Sequence, residues 1–161
     1  MPLVPSPEPS SLSDSEAAAE TSVLLVDDEE NIRFLARLQL ERGGAFEVVA
    51  EASDGLEAID LAGRLQPSIV LLDVMMPRMD GFTALPELLM SSPRSMIVML
   101  SSLSATQNTQ PALAAGAFAY LEKAELGEGL TDRLAEMHGR FRRALAGETV
   151  WAPEHPPRVM R

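Results

Sequence analysis

Ser68-Ile69-Val70-Leu71-Leu72-Asp73 is an aliphatic run closed by an acid, and Val74-Met75-Met76-Pro77-Arg78-Met79-Asp80-Gly81 follows it. A strand that is apolar at every position cannot keep one face in water, so it belongs in a parallel sheet covered on both sides. The same form recurs along the chain. Val23-Leu24-Leu25-Val26 ends at Asp27-Asp28, Met96 to Leu100 ends at Ser101, and Phe118 to Leu121 is followed by Lys123. Phe46 to Ala50 adds a β-prone segment.

Helical spacing fills the intervals. Ile32, Leu35, Leu38 and Leu40 recur until Gly43-Gly44, Gly55 to Leu65 is stopped by Pro67, and Phe82 to Met90 carries Pro86 inside it. Thr106 to Ala115 is a short helix, which Pro111 is expected to restart at its first turn after a longer loop. Leu126 to Leu145 is the longest, with Leu130, Leu134, Met137, Phe141 and Leu145 on one stripe. Strands that alternate with helices predict an α/β doubly wound sheet of five parallel strands flanked by five helices. In such sheets the chemistry lies at the carboxyl ends of the strands.

Composition narrows the function further. The chain has 161 residues, 24 acids, 13 bases and no cysteine, for a net charge of −11. Thiolate metal sites, cysteine nucleophiles and disulfides are excluded, and general affinity for nucleic acid or anionic membrane is disfavoured. No run of about 18 apolar residues is present, and the first base, Arg33, comes too late for a signal peptide, so the expected compartment is the cytoplasm. Residues 1–20 hold acids, prolines and serines but no base, which predicts a disordered N-terminal tail. A single folded domain over 21–146 and a proline-rich tail over 147–161 complete the expected organisation.

Three carboxylates gathered at one sheet edge repel each other unless a divalent cation sits among them. Oxygen ligands suit Mg²⁺. An aspartate beside such a cation can attack a phosphoryl group, with a lysine ammonium and a hydroxyl meeting the transferring oxygens. Asp73 with Asp27, Asp28, Lys123 and Ser101 supplies that inventory. Each residue taken singly has an ordinary explanation: an exposed turn for Asp27 to Glu30, a loop cap for Asp73, a solvated lysine, a strand end. His138 and His155 show no metal-ligand spacing, and the cluster of Arg140, Arg142 and Arg143 suits the dipole of a helix C-terminus.

These motifs, together with Glu51-Ala52-Ser53-Asp54-Gly55 and Ala115-Gly116-Ala117-Phe118-Ala119-Tyr120-Leu121-Glu122-Lys123, resemble the receiver domain of two-component response regulators over roughly residues 22–145. The resemblance implies a flavodoxin-like sheet of order 2-1-3-4-5. It implies Asp73 as phosphoacceptor, with Asp28, Asp73 and the Met75 carbonyl holding Mg²⁺ directly and Asp27 acting largely through water. Lys123 would contact a phosphoryl oxygen. Ser101 would be the switch hydroxyl and Tyr120 the switch aromatic, moving inward on phosphorylation. The implied donor is a sensor histidine kinase or a histidine phosphotransfer protein, and the face made by helix 4, strand 5 and helix 5 would dock a target or a second copy.

The chain departs from the family's common pattern in places. Ala124 stands where proline is frequent, and Ser102 where alanine is usual. Met75 and Leu103 hold the positions that tune hydrolysis of the phospho-aspartate; both are apolar, so slow self-dephosphorylation is expected. Only about 15 residues follow Leu145, so the expectation is a single-domain regulator that signals by docking, catalysing its own phosphorylation rather than turning over a substrate. The alternative is a receiver-like interaction module with little physiological phosphorylation. A phosphatase with an aspartate nucleophile would want a second aspartate where Met75 stands, and no glycine-rich phosphate loop follows the first strand. Trp151 in the second tail is expected to cover part of the last helix.

Overall fold

The computed structural model describes residues 21–102 and 105–147. Five strands, β1 (Thr21–Val26), β2 (Phe46–Ala52), β3 (Ile69–Asp73), β4 (Met96–Ser101) and β5 (Ala119–Glu122), alternate with helices α1 (Glu30–Glu41), α2 (Gly55–Leu65), α3 (Gly81–Ser91), α4 (Ala105–Ala114) and α5 (Leu130–Leu145). All strand pairs are parallel and the order is β2-β1-β3-β4-β5. This is the doubly wound sheet read from the sequence.

Alternation along each strand sorts the core into two layers. Val23, Leu25, Ile69, Leu71, Val98 and Leu100 face α1 and α5, packing with Leu40, Leu134 and Met137. Leu24, Val26, Val70, Leu72, Ile97 and Met99 face the other way, onto Ala58, Ala62, Leu85, Leu88 and Ala112 of α2, α3 and α4. β3 is buried at every position, which is why its sequence is uniformly apolar. In the pairing of β2 with β1 the register slips between Val23↔Val48 and Leu24↔Ala50, leaving Val49 as an extra, exposed residue.

Helix entries are set by short acids. The Asp54 carboxylate accepts the Glu57 N–H at 2.9 Å to cap α2, and Asp80 accepts the Thr83 N–H at 2.7 Å to cap α3. The expected restart of helix 4 at Pro111 is not what forms. α4 runs unbroken from Ala105, and the Pro111 carbonyl accepts the Ala115 N–H at 3.0 Å at its end. Pro111 and Pro86 are both exposed, so each ring meets solvent rather than packed neighbours, and each helix absorbs one missing donor. The last helix begins later than expected, at Leu130 rather than Leu126. Lys123–Glu125 is a 3₁₀ turn that the Leu126 N–H closes onto the Lys123 carbonyl at 3.1 Å, and Gly129, at φ 89°, sets the chain off into α5. Leu126 is still buried, which explains why it read as part of the stripe. No described helix is long and apolar enough to cross a membrane. Both tails, Trp151 and Leu103 lie outside the described residues.

Candidate functional site

β1, β3 and β5 deliver their last residues to one edge of the sheet. Asp27 and Asp73 are buried there, while Asp28, one residue further along, is exposed. One carboxylate oxygen from each of the three lies within 4.8 Å of the others. Lys123, just past β5, reaches across to them. Its Nζ is 2.8 Å from Asp27 Oδ2, 3.3 Å from Asp73 Oδ2 and 3.1 Å from Glu29 Oε1. The approach to the two aspartates is that of a charge rather than an aligned donor, and both buried Oδ2 atoms are left without a hydrogen-bonding partner among the described residues.

The remaining contacts fix the loop shapes. Asp27 Oδ1 accepts the Glu29 N–H at 2.8 Å, Arg33 donates to the Asp27 carbonyl at 2.6 Å, and Asp73 Oδ1 accepts the Met75 N–H at 3.3 Å. Gly81 begins α3 so close to β3 that a Cβ there would sit 2.2 Å from the Asp73 carbonyl oxygen. Its N–H donates to the Val74 carbonyl at 2.9 Å. Only glycine fits, and the Asp80-Gly81 pair that reads as an ordinary turn signal is here a contact with the backbone of Asp73. The intervening loop is pinned to α2 as well: Gly55 N–H donates to the Met79 carbonyl at 3.1 Å. Arg78, in the left-handed region at φ 64°, donates through Nε to Asp54 Oδ2 at 2.7 Å and through Nη2 to the same atom. The Glu57 N–H, then Arg78, hold the Asp54 carboxyl below its usual range. Glu29, Arg33, Arg78 and Asp54 had no role assigned from the sequence; no spacing rule links them, because each works through a loop that folding brings close.

Burial raises the Asp73 pKa first and the charge of Asp27 raises it further; Lys123 and the Met75 N–H pull it down, and the balance leaves it at about 7. Burial opposes the Lys123 ammonium, but the surrounding carboxylates prevail and hold its pKa above the ordinary lysine value. Ser101 is buried at the end of β4, one position beyond the Asp73↔Leu100 pair. Tyr120 is 3% exposed, inside the layer formed with Leu88, Met99 and Ala112, and its hydroxyl has no partner among the described residues. Met75 is 64% exposed. The residues picked from the sequence thus converge on one edge, except Tyr120, which lies within the adjoining core.

The donor set suits a hard divalent cation. Two buried carboxylate oxygens without aligned donors stand beside a third, exposed acid, all are oxygen ligands, and the ammonium compensates only part of their charge.

Known proteins resemble this chain. The family model "Response regulator receiver domain" matches residues 23–135. The transcriptional regulatory protein PdtaR of Mycobacterium tuberculosis is 39% identical over 144 residues, covering 88% of this chain and 69% of that protein. A protein-glutamate methylesterase/protein-glutamine glutaminase of Geobacter metallireducens is 40% identical over 103 residues, covering 63% of this chain and only 29% of that protein. Among solved structures, the receiver domain of AraT, a response regulator from Geobacillus stearothermophilus, superposes with a TM-score of 0.62 at 30% identity, over 78% of this chain and 95% of that one.

Proposed function

The chain belongs to the response regulator receiver family, and from that premise we propose that it takes a phosphoryl group onto Asp73 from a histidine kinase or a histidine phosphotransfer protein and, once phosphorylated, docks a separate protein. The observation that carries this reading is the Asp73 Oδ2 atom: buried, without an aligned donor, and 3.3 Å from the only lysine of the chain.

Asp28, Asp73 and the Met75 carbonyl would hold Mg²⁺ directly, with Asp27 acting through water. The bound cation would neutralise the acids and the charge spread over the transferring oxygens. A carboxylate oxygen of Asp73 attacks phosphorus in line. The oxygen–phosphorus bond forms as the phosphorus–nitrogen bond of the donor breaks, and the departing nitrogen keeps that electron pair, so that with a proton already on the other ring nitrogen a neutral imidazole leaves. Lys123 turns from the Asp73 carboxylate to a phosphoryl oxygen, and Ser101 donates to another. Asp73 attacks as the carboxylate, so a pKa near 7 in the cation-free site leaves the nucleophile half-protonated at neutral pH. Positive charge brought to the site lowers that value and arms it.

An exposed apolar strip, Phe34, Leu35 and Leu38, lies on the helix that follows the Asp27–Asp28 turn. It supports a protein as phosphodonor. Met75, exposed and apolar, offers nothing to orient an attacking water, which supports a long-lived phospho-form. The outward signal would pass through Ser101 and Tyr120 to the face of α4, β5 and α5.

The test is treatment with acetyl phosphate and Mg²⁺ followed by intact mass. One added phosphoryl group, abolished in Asp73→Ala and by chelation, is expected. An unchanged mass in the folded protein refutes the reading and leaves an interaction module.

A further inference from the structure

At the opposite end of the sheet, where β3 and β4 begin, a cleft of about 440 Å³ opens between the α3–β4 turn and the last turns of α5. That size falls within the ~300–1,000 Å³ of small-molecule sites. Arg94 enters it from the turn, and Arg142 and His138 from the helix.

In a chain of net charge −11, most described basic side chains contact a carboxylate. Arg94 and Arg142 make no ion pair among the described residues, and His138 makes no hydrogen bond there. The negative end of the α5 dipole accounts for Arg142. It does not account for Arg94, which belongs to another element and faces the same cleft.

The floor is prepared rather than loose. Ser92 and Ser95, both buried, share a hydrogen bond of 2.6 Å, and Ser95 also donates to the Pro67 carbonyl. The His138 ring stacks on Phe141 with centroids 6.4 Å apart and planes 20° from parallel, which sets its orientation. Burial, then the charge of Arg142, lowers its pKa, so it stays neutral and serves as a hydrogen-bonding group.

We propose that this cleft binds a small phosphate-bearing anion, gripped between the guanidinium groups of Arg94 and Arg142 with His138 hydrogen-bonding a further oxygen. Planar guanidinium forks match phosphate oxygens two at a time. The site is separate from Asp73, at the far end of β3, about 16 Å away at ~3.3 Å per residue.

Isothermal titration with pyrophosphate, in EDTA so that the acidic pocket retains no metal, tests it. Saturable one-to-one binding is expected, weakened at least tenfold in the Arg94→Ala/Arg142→Ala double variant, with citrate binding more weakly than pyrophosphate. The double variant should keep its melting temperature, both residues being exposed; if it does not, Arg94→Glu alone serves and should abolish binding. No saturable binding, undiminished binding in the variants, or a preference for citrate overturns the proposal.

Discussion

Replacing Asp73 by asparagine is expected to stabilise the cation-free protein. In the folded state this carboxyl is raised from 3.8 to about 7, by burial and then by Asp27. Between those two values the folded protein keeps a proton that the unfolded chain has released, so stability falls as pH rises and the full penalty applies above about pH 7. At 1.36 kcal/mol per pH unit the penalty reaches about 4 kcal/mol at most, and at pH 5 it is under about 2 kcal/mol. A neutral amide at this position carries none of it and occupies nearly the same volume. Urea denaturation of both proteins in EDTA, at pH 8 and at pH 5, is the assay. Asp73→Asn should gain about 2–4 kcal/mol at pH 8, roughly 10 °C in Tm, and clearly less at pH 5. Adding Mg²⁺ should stabilise the wild type more than the variant. A variant no more stable than wild type at pH 8, or a gain that ignores pH, would refute the electrostatic account of the pocket.

Four further outcomes follow from the geometry. Gly81→Ala drives a methyl group against the Asp73 carbonyl; chemical denaturation should show a loss of about 1–3 kcal/mol, and acetyl-phosphate labelling should slow. Met75→Asn gives an attacking water a polar neighbour, so the phospho-form should decay faster in a mass-spectrometric time course; equal lifetimes would count against the apolar explanation. Arg78→Gly removes an ion pair but also a left-handed strain, so its stability should stay within about 1 kcal/mol of wild type. Asp54→Ala loses cap and partner together and should fall by about 2 kcal/mol in the same titration.

The strands and their acid ends could be read directly because β3 and β4 are buried on both faces. Their sequences had no freedom to alternate, and the residue that ends each apolar run marks the sheet edge. Asp27, Asp73 and Lys123 were legible for that reason. Leu126 misled because it is buried like a helix residue while its backbone closes a 3₁₀ turn. Pro111 misled because the penalty for proline in a helix was weighed without knowing that its position faces solvent. Arg78 and Asp54 are 24 residues apart, and Arg94 and Arg142 line one cleft from different elements. Such pairs depend on the assembled fold and leave no local pattern.

The Tyr120 hydroxyl, without a partner among the described residues, has an energetic corollary. Enclosing a phenol without a partner sacrifices ~1–3 kcal/mol, close to the ~1.5–3 kcal/mol that sheltering a large ring returns. With those quantities nearly matched, sheltering this ring adds little net stability to the fold. One hydrogen bond gained by that hydroxyl, worth about 0.5–1.5 kcal/mol, is large enough to tip the balance. The aromatic is thereby left sensitive to its surroundings.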